Sequence, residues 1–203
     1  MTTKGKVKKS CEWPNNDPRM IAYHDREWGV PTRSDRKIFE FLVLESAQAG
    51  LSWKTVLYKR EGYKKAFANF DVKKVSRFRK KDTGRLVKNP AIIRNRAKIE
   101  ATINNAGKFL DIQKEFGNFS NYMWQFVNNK PIDGRRKCLK DLPVTTKEAE
   151  SLAKDLKIRG FKFLGPTVIY AHMQAVGMVN DHITSCFRYK KLKNPKKLFR
   201  NSR

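Results

Sequence analysis

Acidic side chains are scarce in this chain: 19 Asp and Glu stand against 45 Lys and Arg, a formal charge of +26 over 203 residues. A field of that size calls for a polyanionic partner, and nucleic acid leads the candidates. The alternative at this point is a chain whose Lys-rich helix faces are merely solvated. Long apolar runs are also missing. None approaches the roughly 20 residues that cross a bilayer, and the segment after Met1, TTKGKVKKS, lacks the apolar stretch of a secretory signal. A soluble, intracellular protein without membrane association is expected. Only three cysteines occur, Cys11, Cys138 and Cys186. They cannot all pair with one another and an intracellular setting disfavours disulfides, so metal ligation or burial is their expected use. No run alternates apolar and polar residues long enough to demand a sheet, and no internal repeat is visible.

What is present is helical periodicity, and the expected fold is all-α, one compact domain over residues 11–186. Residues 1–10 and 187–203 are Lys/Arg-rich, nearly free of acid and aperiodic, and read as basic tails. Ser34 looks like an N-cap for a helix carrying Ile38, Phe41, Leu42, Glu45, Gln48 and Ala49 on one face. Ser52 caps a second with Val56, Leu57, Tyr63 and Phe67, and a short third runs from Asp71 to Phe78. Asn89 and Pro90 suit the cap and first position of the longest helix, ended by Gly117. Ser120 opens another through Trp124 and Phe126, residues 128–143 read as a loop, and Thr146 starts the next helix.

Three features bear on chemistry. A helix over 147–158, the turn RGFKFLG (Arg159 to Gly165) and a helix from Pro166 form a hairpin in which Gly160 and Gly165 bracket the turn and Lys162 adds charge. Glycine allows close backbone approach, and the free N–H groups of a helix start hold phosphate. An ordinary antiparallel helix pair fits the spacing equally well. Secondly, Cys11 and His24 near one end and His182 and Cys186 near the other supply two thiolates and two imidazoles, a set that suits tetrahedral zinc. Closing so long a loop costs a few kcal/mol, on the order of (3/2)RT ln n plus a constant, against the ~10 or more that structural zinc returns. Four unrelated residues remain the alternative. Thirdly, Glu45 lies on the apolar stripe of its helix, where a carboxylate must be paired or functional. A salt bridge, or a helix edge that reaches water, is the plain explanation. Beyond it, Gly50, Leu51, Ser52 and Trp53 form a segment fit to push a wedge into stacked bases while an indole receives a flipped one, and Trp13, Tyr23 and Trp28 add aromatics near the first two candidate ligands. Taken singly, such aromatics serve more often in a core.

Read together, four ordered blocks resemble the bacterial 3-methyladenine DNA glycosylase I family, a branch of the helix-hairpin-helix glycosylases: DPRMIAYHDREWGVP (Asp17 to Pro31), LESAQAGLSW (Leu44 to Trp53), RGFKFLGPT (Arg159 to Thr167) and MQAVGMVNDHITSC (Met173 to Cys186). The resemblance implies a structural zinc held by Cys11, His24, His182 and Cys186, tying the ends together without touching the chemistry. It puts the base-pocket carboxylate at Glu45, the pocket tyrosine at Tyr23, the stacking tryptophan at Trp53, walls at Trp28 and Trp13, and the wedge at Gly50 and Leu51. Departures fall at Met20, where other members have a second pocket tyrosine, and at Ala171, where some carry serine. The implied activity is hydrolysis of the N-glycosidic bond of 3-methyladenine in alkylated double-stranded DNA without strand cleavage, by a cytoplasmic, nucleoid-associated monomer. Helix-hairpin-helix glycosylases with harder substrates commonly place an aspartate shortly after the hairpin, whereas Gly165 to Val179 contains no acid. Competing readings are a non-catalytic zinc-stabilised DNA-binding protein and a glycosylase with a shifted alkyl-base preference.

Overall fold

In a computed structural model, which describes residues 9–193, the chain is built from helices and a single two-residue bridge. Asp17 accepts hydrogen bonds from the N–H groups of Arg19 and Met20, Pro18 occupies the first helical turn, and α1 (Pro18–Arg26) follows. This helix is not among the sequence expectations, although its cap and proline are the usual start signals. Ser34 caps α2 (Asp35–Gln48) as expected, its hydroxyl accepting from Lys37 N–H. The Ser52 helix breaks at Lys59 into α3 (Trp53–Tyr58) and α4 (Arg60–Ala66). Asp71 caps the short α5 (Val72–Val75), and α6 (Lys80–Val87) is a further element without an apolar stripe long enough to announce it.

The longest helix is α7 (Arg96–Phe116), ended by Gly117 but capped by Asn95 rather than Asn89. Residues 90–95 instead form a turn in which Ile92 is buried and Ile93 N–H donates to the Tyr63 hydroxyl at 3.2 Å. Similarly α8 (Phe119–Trp124) is capped by Asn118, two residues before the expected Ser120. The loop over 128–143 holds β1 (Ile132–Asp133), which pairs in parallel with β2 (Val179–Asn180). Thr146 caps α9 (Lys147–Ile158), and α10 (Pro166–Ala175) completes the hairpin.

The expected C-terminal tail needs correction at its start. Residues 187–192 form α11 (Phe187–Leu192), capped by Cys186, with Arg188, Tyr189 and Leu192 buried. The charge of this segment hides an apolar pair that the core accepts. Residues 1–8 and 194–203, the remainder of both expected tails, lie outside the described residues. No helix among the described residues is long and apolar enough to cross a membrane.

The core is organised on α2, which is buried almost all round, from Ile38 and Phe39 to Glu45, Ser46 and Ala47. α10 packs against it on one side, α7 and α8 on another, with the Phe109 ring in contact with both Phe39 and Phe119. The start of α2 is tied to α8 by Asp35. Its carboxylate accepts from Gln113 Nε2 at 2.6 Å and from the backbone N–H groups of Phe119 at 2.8 Å and Ser120 at 2.9 Å, which have no partner inside their own helix. Asp35→Ala therefore leaves helix-start donors unpaired and should lower unfolding free energy by about 2 kcal/mol in urea denaturation; a change below about 0.5 kcal/mol would contradict this role.

Candidate active site

The site follows from where α2 ends. Glu45 occupies its last full turn, Gly50 then adopts φ +79°, a conformation other residues resist, and the reversal leaves Leu51 protruding at 41% exposure. Lys98, near the start of α7, holds this turn: its ammonium donates to the carbonyls of Ala47 at 2.9 Å and Ala49 at 2.5 Å, unsatisfied acceptors at a helix C-terminus. Ser52 then caps α3, which presents Trp53 back towards Glu45.

A cavity of about 300 Å³ opens beside Glu45. All five residues expected at the base pocket line it: Glu45, Tyr23, Trp53, Trp28 and Trp13. That volume is at the small end of ligand sites and suits one ring system rather than a whole nucleotide. Tyr23 lies 5.1 Å from Trp53 between ring centroids, and Trp13 stands edge-on to Trp28 at 5.2 Å, so the walls are aromatic faces and edges. The indole N–H groups of Trp13 and Trp53 are buried without an acceptor among the described residues. Gln48, Leu139, Leu142, Ala171 and Gln174 complete the lining and were not foreseen as a set. Ala171 shares a helix face with Gln174, but Leu139 and Leu142 come from the 128–143 loop, whose composition signals only a surface segment. A second, smaller cavity of about 180 Å³ runs from Glu45 past Gln48 and Ala171 to Gly50 and Leu51, linking pocket and protruding turn. Met20 is buried but is not among the lining residues of either cavity.

Among the described residues Glu45 has no salt-bridge partner, and it is buried rather than set at an exposed helix edge. It is 5% exposed, and burial alone pushes its carboxyl up to about 8, so at neutral pH the empty pocket presents mostly a neutral acid. The neighbouring Tyr23 phenol is pushed further above its usual range by burial and then by Glu45, and stays neutral.

Cys11, His24, His182 and Cys186 do meet. Their four ligand atoms lie within 4.8 Å of one another and all four residues are buried. The edges are 3.0 Å between His182 Nδ1 and His24 Nε2 and 3.6 to 3.7 Å for the Cys–His pairs recorded. A tetrahedron with metal–sulfur bonds of about 2.3 Å and metal–nitrogen bonds of about 2.0 Å has edges of roughly 3.3 to 3.8 Å. The outward ring nitrogens are also engaged: His24 Nδ1 with Asp25 at 2.7 Å and His182 Nε2 with the Trp28 carbonyl at 3.0 Å, the partners that orient ligating imidazoles. The donor set fits a tetrahedral cation. The cluster backs onto the pocket: His24 packs on Trp13 at 5.4 Å and His182 on Trp28 at 4.6 Å, both pocket walls. Cys138 is an exposed free thiol away from this group.

The hairpin turn is docked onto α7. Asn104 donates to the Gly160 carbonyl at 2.9 Å, and Asn105 pairs with the Lys162 backbone in both directions, each bond 2.9 Å. Sequence reasoning missed these two asparagines, which sit mid-helix. Gly160 takes φ +86°, while Lys162, Gly165, Pro166 and Thr167 are exposed, leaving the first turn of α10 open to an anion.

A single-ring-system pocket with aromatic walls, a buried acid, an apolar prow and an open helix start beside it is the layout of a protein that takes up an extruded nucleobase. The family model for methyladenine glycosylases matches residues 13–189, and the chain belongs to that family. DNA-3-methyladenine glycosylase 1 of Escherichia coli (strain K12) is 46% identical over 179 residues, 88% of this chain and 96% of that protein. DNA-3-methyladenine glycosylase of Haemophilus influenzae (strain ATCC 51907 / DSM 11121 / KW20 / Rd) is 45% identical over 176 residues, 87% of this chain and 95% of the relative. A crystal structure of 3-methyladenine DNA glycosylase I superposes with a TM-score of 0.86 at 47% identity, covering 88% of this chain and 98% of the other. A tyrosine-to-phenylalanine variant of 3-methyladenine DNA glycosylase I in complex with 3-methyladenine gives 0.85 at 38%, covering 88% and 96%.

The Glu45 environment has a consequence for stability. Below the ordinary carboxylate value of 4.5 the side chain is neutral in both folded and unfolded chains. Between 4.5 and about 8 only the unfolded chain ionises, so stability falls as pH rises across that window and is level above it. Glu45→Gln removes this term. Its thermal midpoint relative to the parent protein should rise progressively from pH 5 to pH 8, and a difference independent of pH would show that the carboxyl ionises normally.

Proposed function

We propose that the protein is a monofunctional DNA-3-methyladenine glycosylase of base-excision repair, which extrudes an N3-alkylated adenine from double-stranded DNA and hydrolyses its N-glycosidic bond. The observation that carries this is the union of Glu45, Tyr23, Trp13, Trp28 and Trp53 around one base-sized cavity, in a family whose relatives are named for that reaction and in which one structure holds 3-methyladenine.

N3-alkylation makes the ring cationic. The C1′–N9 bond then breaks with its electron pair moving onto the base, which leaves neutral, while water adds to C1′ and releases a proton. Little acid catalysis is needed, so the pocket has to select and hold. An arriving cation favours the ionised form of Glu45, drawing off a proton that a neutral base leaves in place, and the carboxylate then accepts from the amino edge of the ring. The faces of Trp53 and Tyr23 favour the same charge. Trp28 and Trp13 close the walls. Gly50 and Leu51 fill the gap left in the duplex, and the backbone of Gly160, Lys162 and Gly165 in the helix-hairpin-helix motif contacts phosphate. The first acid after the hairpin is Asp181, whose carboxylate is occupied by Arg136, Tyr170 and Gln174. This favours labile substrates over those needing an activated water.

Cys11, His24, His182 and Cys186 would hold one structural zinc, which when bound cross-links the N- and C-terminal regions and supplies no chemistry to the base. One zinc per chain is expected by elemental analysis, and Cys186→Ser or chelation should lower the thermal midpoint and shift tryptophan fluorescence through Trp13 and Trp28. Stability and fluorescence indifferent to chelation of metal-loaded protein would remove this role.

Release of free base from methylated duplex DNA tests the activity. Liberated 3-methyladenine, reduced at least about 100-fold in Glu45→Gln with DNA affinity little changed, is the expected result. No base released by folded, metal-loaded protein leaves the non-catalytic DNA-binding reading. Release dominated by another alkylated base leaves the shifted-preference reading that Met20 and Ala171 invite.

A further inference from the structure

Gln174 lines the base cavity from α10, one helical turn after Ala171. Its side-chain amide is not free to choose its orientation. Nε2 donates at 2.8 Å to Oδ2 of Asp181, a carboxylate only 1% exposed that also takes the Tyr170 hydroxyl on Oδ2 and Arg136 Nε on Oδ1 at 2.9 Å. A carboxylate paired with Arg136 accepts and does not donate, so the Gln174 amide must turn its nitrogen to Asp181 and leave Oε1 for the cavity. No donor among the described residues is hydrogen-bonded to Oε1.

The clamp is built into the fold. The parallel pairing of Ile132–Asp133 with Val179–Asn180 lays the 128–143 loop against Asp181. Gly134 is needed at the crossing because any side chain there would collide with the Asp181 carboxylate, and the Arg136 carbonyl accepts from Thr184 N–H at 2.7 Å. The loop that brings Arg136 to Asp181 also delivers Leu139 and Leu142 to the cavity, so one buried network sets both a lip of the pocket and the polarity of Gln174.

Purines differ at position 6 in just this polarity: adenine bears an amino donor, guanine a carbonyl acceptor. Resting on the base-pocket reading above, we propose that Gln174 is a specificity-determining residue, a fixed acceptor that favours 6-amino purines and rejects 6-oxo purines, with Asp181 as its positioning residue. Glu45 does not supply that discrimination alone. A carboxyl that exchanges between neutral and ionised forms offers a donor as well as acceptors, whereas the clamped amide offers the cavity an acceptor in either case.

The test is the ratio of affinities for free 3-methyladenine and free 3-methylguanine, read by quenching of the tryptophans that line the cavity. The parent protein should prefer 3-methyladenine. Gln174→Met, which keeps the volume and leaves Asp181 with Arg136 and Tyr170, should narrow the ratio about tenfold. Asp181→Asn, which accepts or donates and so lets the Gln174 amide turn over, should narrow it chiefly by improving 3-methylguanine. A folded Gln174→Met variant with an unchanged ratio overturns the inference while leaving the pocket intact, even if Asp181→Asn fails to fold. A parent protein that binds neither base overturns the pocket reading instead.

Discussion

One carboxyl buried in the central helix governs this molecule. α2 is enclosed almost all round by the core, so Glu45 is 5% exposed, has no cation paired with it among the described residues, and has its carboxyl pushed by burial up to about 8. A soluble fold tolerates such a residue only where something else compensates for it. On the proposed reading that compensation would come from outside, as a cationic ring held between Tyr23 and the tryptophans that line the cavity. The same helix ends in the turn that carries Leu51, so the buried acid and the protruding side chain proposed to act on the duplex are set by one element, with Lys98 fixing their junction.

The Cys/His cluster shares a wall with that pocket. His24 and His182 lie behind Trp13 and Trp28, and the Trp28 carbonyl orients His182. A metal held there, as proposed, would do more than join residue 11 to residue 186: it would also fix the Trp13 and Trp28 indoles from behind.

The parts legible in the sequence are those with a local signature or a rare residue type. Ser34 before a periodic apolar run marks α2, an acid on that stripe singles out Glu45, and two of three cysteines with two of three histidines mark the cluster. The hairpin is legible from Gly160, Gly165 and Pro166. What escaped depends on tertiary company. Asn104 and Asn105 look like ordinary polar helix residues until they meet the hairpin backbone, and Leu139, Leu142 and Arg136 sit in a loop whose Lys, Gly and Pro content conceals its contact with α10 and Asp181. In the C-terminal segment, basic residues masked Tyr189 and Leu192, and near residue 90 a proline that suits a helix start lies instead in a turn, where Asn89 accepts from Ala91 N–H and Asn95 caps the helix.

The most direct measurement is the titration of Glu45 itself, by carbon NMR of glutamate labelled at the carboxyl, with the resonance assigned by its loss in Glu45→Gln. The account predicts that this carboxyl titrates near pH 8 in the free protein and moves to the ionised position when a cationic N-alkylated adenine fills the pocket. A Glu45 that titrates near the ordinary 4.5, or that does not respond to the cation, would contradict it.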